Sequence, residues 1–165
     1  MKENTPTFVA DADLAAALQQ YGHPHRCSGD ETLFFQGQKP EALYLLKEGQ
    51  VTLTAQAAGR ERVFARENQR DSIFGLPGVI SNTPYSLTAR AVAGSQFQII
   101  PPEAFQAMLR ANPEMNFHAL RILASEVQAA RRILHDVEDE KLLKKKSAPK
   151  NKRGSTSGNS DRIGS

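Results

Sequence analysis

The residues best placed to do chemistry lie in one stretch, Ser72-Ile-Phe-Gly-Leu-Pro-Gly-Val-Ile-Ser-Asn-Thr-Pro-Tyr-Ser-Leu-Thr-Ala89. Ile73 and Phe74 start a strand, which Gly75, Pro77 and Gly78 break. Val79 and Ile80 form a short apolar turn, Ser81 to Pro84 a polar corner, and a second strand begins at Tyr85. A strand, a glycine, one helical turn, a loop and a strand gather unpaired backbone N–H groups at one spot, where a helix start adds positive potential. That geometry suits an anion. The same spacing also suits an ordinary connection between two strands of a barrel.

Two further groups carry reactive side chains. In His23-Pro-His-Arg-Cys27 an extended backbone puts His23, His25 and Cys27 on one face. Three such donors can hold zinc or haem iron. The alternative is a surface segment leading into the first strand. No second His/Cys cluster lies near it in the sequence, so no metal and no cofactor are expected. At the other end, Lys144-Lys-Lys146 with Lys150, Lys152 and Arg153 can grip phosphates without sequence preference, or simply keep a tail soluble.

The elements that must position these residues follow from periodicity. Asp11 or Asp13 caps a helix running to about Tyr21, with Leu14, Leu18 and Tyr21 on one face and Gly22 as its stop. From Gly29 to Pro101 short strands alternate with turns: Thr32–Gln36, Ala42–Lys47, Val51–Gln56, Arg62–Arg66, Ser86–Ala93 and Gln96–Ile100. Short strands about ten residues apart, punctuated by glycine, indicate an antiparallel jelly roll. Pro102 to Leu109 reads as a short helix, with Phe105, Met108 and Leu109 inward. Asn112-Pro113-Glu114 reads as the cap and first turn of a long helix over about 113–138. Along it Leu120, Leu123, Val127, Ala130, Leu134 and Val137 recur at steps of 3, 4, 3, 4 and 3, the seam of a coiled coil. A second apolar set, Phe117, Ile122 and Ile133, leaves one side for the barrel and one for a partner, so a homodimer through this helix is expected.

The domain reading is a loose N-terminus over 1–10, one domain over 11–138 and a basic, disordered tail over 139–165. With 39% hydrophobic and 24% charged residues, the 165-residue chain has the composition of a globular protein and no membrane-length apolar run. Nothing at the start resembles a secretion signal and Cys27 is the single cysteine, so a cytoplasmic location is expected. The formal net charge of +3 is unevenly spread. Residues 1–140 hold 13 Lys/Arg against 17 Asp/Glu, a net −4, and residues 141–165 hold 8 against 1, a net +7. The basic character belongs to the tail, which argues against a broad nucleic-acid footprint on the folded part.

Glycines at 29, 37, 49, 59 and 75, the strand Leu43-Tyr-Leu-Leu-Lys-Glu-Gly-Gln-Val51, the 72–89 cassette and the Asn112-Pro113 start together resemble the cyclic-nucleotide-binding domain of the catabolite-activator (Crp/Fnr) superfamily. The resemblance covers about residues 10–138. It implies a mainly β fold with flanking helices: a double-stranded β-helix, a ligand pocket between this roll and the long helix, and a dimer through that helix. The family's cassette usually reads Phe-Gly-Glu and then Pro-Arg-Ser or Pro-Arg-Ala, its glutamate taking the ribose hydroxyl and its arginine the cyclic phosphate. Here the positions are Phe74-Gly75-Leu76 and Pro84-Tyr85-Ser86. Leucine accepts no hydrogen bond, and tyrosine offers one neutral donor in place of a charged fork. Charge-assisted hydrogen bonds contribute about 1.5–3 kcal/mol against about 1 for neutral ones, so the double loss weakens a cyclic nucleotide by about a hundredfold or more. Pro77 also removes a backbone donor. The family's purine-contacting hydroxyls fall near Ala130 and Arg131.

The expected function is therefore a non-enzymatic regulatory or sensory module that is not expected to bind cAMP or cGMP in the usual way. The residues expected around its ligand are Gly75, Leu76, Gly78, Val79, Tyr85, Ser86 and Thr88. Leu76 and Tyr85 suit an apolar or aromatic effector, unless Tyr85 fills the pocket itself. Arg90 and Arg131 are the candidates to replace the missing arginine. Activators of this family continue into a helix-turn-helix domain, and a 25-residue tail is too short for one. An alternative is a transcription-related regulator acting on nucleic acid through the tail or through a DNA-binding partner. A cupin-like metal enzyme would need histidines converging in the barrel, and His23, His25, His118 and His135 sit on no central strand.

Overall fold

Leu43-Tyr-Leu-Leu46 is apolar at every position because its strand is covered on both faces. Leu43 and Leu45 point to a layer of helices, whereas Leu46 points with Phe74 and Phe97 into the roll. The computed structural model describes residues 8–147. Its elements are α1 (Ala12–Tyr21), β1 (His23–Arg26), β2 (Glu31–Phe34), β3 (Leu43–Glu48), β4 (Val51–Ala57), β5 (Arg60–Glu67), β6 (Ile73–Phe74), α2 (Leu76–Ser81), β7 (Thr88–Ala91), β8 (Gln96–Ile100), α3 (Pro102–Ala111) and α4 (Met115–Ser147). Two four-stranded antiparallel sheets, ordered β1-β8-β3-β6 and β2-β7-β4-β5, face each other as the expected jelly roll.

One core fills the roll, around Phe34, Leu53, Phe74, Tyr85 and Phe97. The other joins the outer face of the first sheet to α1, α3 and the start of α4, through Leu14, Leu18, Phe105, Met108, Ala119 and Ile122. Asp11 caps α1 by accepting from the Leu14 N–H at 2.9 Å. Ala58 and Gly59 both take positive φ, the turn that matches the twist of the β4–β5 hairpin. Further along that hairpin Leu53 pairs with Ala65 but Thr54 with Val63, so Phe64 is the extra residue of a bulge.

Residues 8–10 are not loose, contrary to the expectation for 1–10. Phe8 is fully buried, its carbonyl accepts from the Ile73 N–H at 2.7 Å, and the Ala10 N–H donates to Asp71 at 2.8 Å. An aromatic and two backbone bonds hold this segment along β6. Residues 1–7 lie outside the described residues, as does the tail from residue 148 with Lys150, Lys152 and Arg153. Asn112 does not cap α4 either. Its side-chain amide turns back to the Met108 carbonyl at 3.2 Å and closes α3, and α4 begins through a tight turn at Met115. The helix then runs to Ser147, so residues 139–147, expected to belong to a disordered tail, are helical, with Glu140 paired to Arg62 of β5 at 2.7 Å.

The two faces of α4 divide differently from the heptad reading. Met115, Ala119, Ile122, Glu126, Ala129 and Val137 are buried against the domain. Leu120, Val127 and Leu134 are exposed at 54%, 45% and 60%, and Phe117 at 76%. Val137 thus leaves the expected seam for the barrel side, and Leu123 packs partly on the helix-layer core. Phe117 moves the other way, from the barrel side to the outside. The side chains of Ala130 and Ile133 are not among those described.

Candidate functional site

The 72–89 cassette follows the expected order, β6, a left-handed glycine, one and a half turns of α2 and a loop into β7, but the second strand starts at Thr88 rather than Tyr85, whose side chain turns inward instead. Gly75 has φ +90°, and a Cβ there would lie 3.0 Å from the Tyr85 ring and 3.2 Å from the Ala42 carbonyl. A Cβ on Gly78 would lie 3.0 Å from the Thr83 carbonyl and 3.3 Å from the same ring. The two glycines therefore form a cradle, and the Tyr85 ring occupies it.

Tyr85 is held on all sides. Its ring stacks on Phe34 with centroids 4.0 Å apart. Its hydroxyl donates to the Ala42 carbonyl at 2.6 Å and accepts from the Glu41 and Ala42 N–H groups, both at 3.0 Å. Burial pushes its pKa up, so the phenol stays neutral. The space left beside it is about 10 Å³, room for a single water at most. Gly75, Gly78, Tyr85 and Ser86 line this remnant, with Pro77, Leu87 and Glu126.

The other expected ligand residues lie elsewhere. Leu76 and Val79 are buried in the helix-layer core, because α2 turns its apolar side toward that layer and away from the void. Thr88 lies in a separate groove on the second sheet, where its hydroxyl accepts from the Gln36 N–H at 2.9 Å. Arg90 borders that groove and is engaged with Glu61 and Thr54. Arg131 is exposed on α4. No basic residue lines the void at Tyr85 among the described residues.

A larger cavity of about 360 Å³ opens next to the void, between the β4–β5 hairpin and α4. Ala55, Ala57, Phe64, Leu87, Val127 and Leu134 make most of its wall apolar. Glu126 borders both spaces and is only 7% exposed. Burial alone pushes its carboxyl up to about 8, so at neutral pH it is largely protonated. Sequence reasoning missed this residue. The signal was present: Glu126 lies four residues after Ile122 and three before Ala129, on the stripe that faces inward.

The histidine segment comes together differently as well. His25, Cys27 and Glu31, without His23, bring their donor atoms within 4.8 Å of one another. Glu31 accepts from His25 at 3.0 Å, and burial together with the Glu31 hydrogen bond pushes the Cys27 thiol up to about 12. The trio is thereby internally hydrogen-bonded around a protonated thiol. His118 pairs with Asp11 and His135 with Asp139.

Residues 24–112, just over half of the chain, match the family described as cyclic nucleotide-binding domain, and the chain belongs to that family. Among curated relatives, the global nitrogen regulator of Nostoc sp. is 27% identical over 59% of this chain and 45% of its own length. The crystal structure of Thermus thermophilus catabolite activator protein superposes with a TM-score of 0.59 at 25% identity, over 84% of this chain and 63% of that one. The N-terminal domain of a transcriptional regulator from Streptomyces coelicolor shares the fold alone, with a TM-score of 0.57 at 23% identity over 77% of this chain and 91% of that one. The chain thus has the regulatory cyclic-nucleotide-binding fold of the Crp/Fnr type. It spans less than half the length of the Nostoc relative and under two thirds of the Thermus one. No helix among the described residues is long and apolar enough to cross a membrane.

Proposed function

We propose that this chain is a non-enzymatic regulatory domain in which Tyr85 has permanently taken the place of the cyclic phosphate. What carries the reading is the Tyr85 hydroxyl, tied to three backbone groups of residues 41 and 42 while its ring fills the glycine cradle. An arginine at this position would leave the cradle to a ligand; the tyrosine closes it and offers no charge. Signal is passed through α4. Its exposed Leu120, Val127 and Leu134 lie seven residues apart, and pairing this stripe with a second copy removes it from water. The resemblance to dimeric regulators supports the same pairing.

Two measurements test the reading. Calorimetric titration with cyclic AMP and cyclic GMP is expected to give no binding at micromolar concentration; micromolar affinity for either sinks the occupied-subsite argument. Sedimentation at micromolar concentration is expected to give twice the chain mass, and a strict monomer removes the helix pairing.

A further inference from the structure

Glu126 is the feature that the regulatory reading leaves unused. Its side chain is more than nine-tenths buried, yet it makes no hydrogen bond or ion pair among the described residues. Structural carboxyls at such depth are normally paired, because an unpaired one costs more than the apolar residue that would replace it. Its carboxyl borders an apolar cavity of about 360 Å³, within the range of about 300–1,000 Å³ that small-molecule sites occupy. The bulge at Phe64 shapes the facing wall, and such irregularities often re-aim a side chain at a site.

Charge selects the occupant. The residues facing Glu126 across the cavity are Gln36, Gln56, Phe64 and Ala55 from the second sheet and its approach, and Pro77, Ser86 and Leu87 from the cassette. Val127 and Leu134 complete the wall from α4 itself. None of these is titratable or charged, so among the described residues Glu126 is the lone charge-bearing group of the cavity. An anionic ligand meets no cation there and one acid. An apolar ligand without a donor leaves the carboxyl unpaired.

We propose that the cavity between the β4–β5 hairpin and α4 binds a small apolar molecule carrying one protonated nitrogen, an amine or amidine, held by Glu126. The apolar walls take the body of the molecule, and a charge-assisted hydrogen bond to the carboxylate takes its head. The proposal deepens the regulatory reading and rests on Tyr85 closing the neighbouring phosphate subsite. Since the free carboxyl holds its proton at neutral pH, pairing with a cation releases that proton to solvent.

The test is calorimetric titration of the full chain with benzamidine, its neutral isostere benzamide, its anionic isostere benzoate, and cyclic AMP. Benzamidine is expected to bind with a Kd of about 1 mM or tighter. Runs in buffers of different ionisation enthalpy should show close to one proton released per site. Between pH 6 and pH 7 the affinity should rise about tenfold. Glu126→Gln, which keeps the shape and removes the charge, should abolish the proton release and the pH dependence and weaken benzamidine by at least about tenfold. Ala55→Phe, which fills the cavity and keeps the carboxyl, should abolish binding. The proposal is overturned if benzoate or benzamide binds as well as benzamidine, if no cation binds saturably, or if Glu126→Gln leaves benzamidine affinity unchanged. Loss of the dimer in Glu126→Gln with benzamidine binding intact would also overturn it, assigning the carboxyl to the subunit contact. Micromolar cyclic AMP binding overturns the regulatory reading instead, so the two failures are told apart.

Discussion

Tyr85→Phe removes one oxygen atom and isolates what that atom does. The ring, its stack on Phe34 and its fit against Gly75 and Gly78 all stay. What goes is one donated bond to the Ala42 carbonyl at 2.6 Å and two accepted bonds from the Glu41 and Ala42 N–H groups at 3.0 Å. Glu41 is exposed, so its N–H can turn to water at little cost. Ala42 is buried, and its N–H is left without a partner, which costs about 1–3 kcal/mol. The lost donated bond adds about 1 kcal/mol, and relief from burying a hydroxyl offsets a similar amount. The expected loss is about 2 kcal/mol. Urea unfolding should show a lower midpoint with an unchanged slope, because the surface exposed on unfolding hardly changes. The same variant should still fail to bind cyclic AMP, since phenylalanine fills the cradle as tyrosine does. A midpoint shift equivalent to less than about 0.5 kcal/mol would refute the view that the hydroxyl anchors the residue 41–42 segment.

Other consequences follow from the buried acids, the glycines and α4. Glu67 is buried with its Oε1 unpaired, and burial raises its carboxyl from 4.5 to about 7. The native state therefore holds a proton that the unfolded chain has lost over that window, and stability falls as pH rises from about 4.5 through about 7, by about 3 kcal/mol. Glu67→Gln should remove that share of the slope in urea midpoints at pH 5 and pH 8, leaving the part due to Glu126, whose window extends to about 8. Gly49 has φ +114°, and a Cβ there would lie 2.2 Å from Ser95 Oγ and 2.6 Å from Ser95 Cα. Gly49→Ala should cost about 3 kcal/mol or more. Gly94→Ala, with φ +83° and no atom within 4 Å of the new Cβ, should carry only backbone strain of about 1–2 kcal/mol in the same urea assay. Leu120→Lys with Phe117→Lys should shift sedimentation from the dimer to single chains while leaving thermal unfolding of the domain within about 0.5 kcal/mol per substitution.

Most of the scaffold was legible because its signals are local. Asp11 caps α1 where a cap was expected, and β2 to β8 overlap the segments read as strands, whereas β1, paired with β8, lies in a segment read only as leading into the first strand. The doubled apolar character of Leu43–Leu46 marks a strand covered on both faces. The misreadings share one physical cause, which is that a residue's local role was settled by a distant neighbour. Asn112 precedes a proline and an acid, the usual start of a helix, yet both its backbone N–H and its side-chain amide donate to the Met108 carbonyl at the end of the preceding helix. Val137 continues a heptad but turns to the barrel, and Phe117 interrupts the inward stripe and ends exposed.

The site shows the same limit more sharply. The resemblance read from the sequence implies that Leu76 and Tyr85 stand where the family's cassette usually carries an acid and a base, and that is a statement about residue types. Where the replacements go is a statement about space. Leu76 withdrew into the helix layer, and Tyr85 found the backbone of residues 41 and 42, more than forty positions upstream. Backbone donors and acceptors have no sequence signature, so no motif announces that a tyrosine will plug a cradle rather than line it. Glu126 is the reverse case. Its place on the inward stripe of α4 was readable, but an inward acid acquires meaning only when the facing wall carries no cation among the described residues. On the proposed reading, a glycine cradle filled by a neutral phenol and an adjoining apolar cavity bearing one acid among the described residues both move the domain away from anionic ligands. The two changes occur on separate elements, the cassette and α4, and act in one direction on the same neighbourhood.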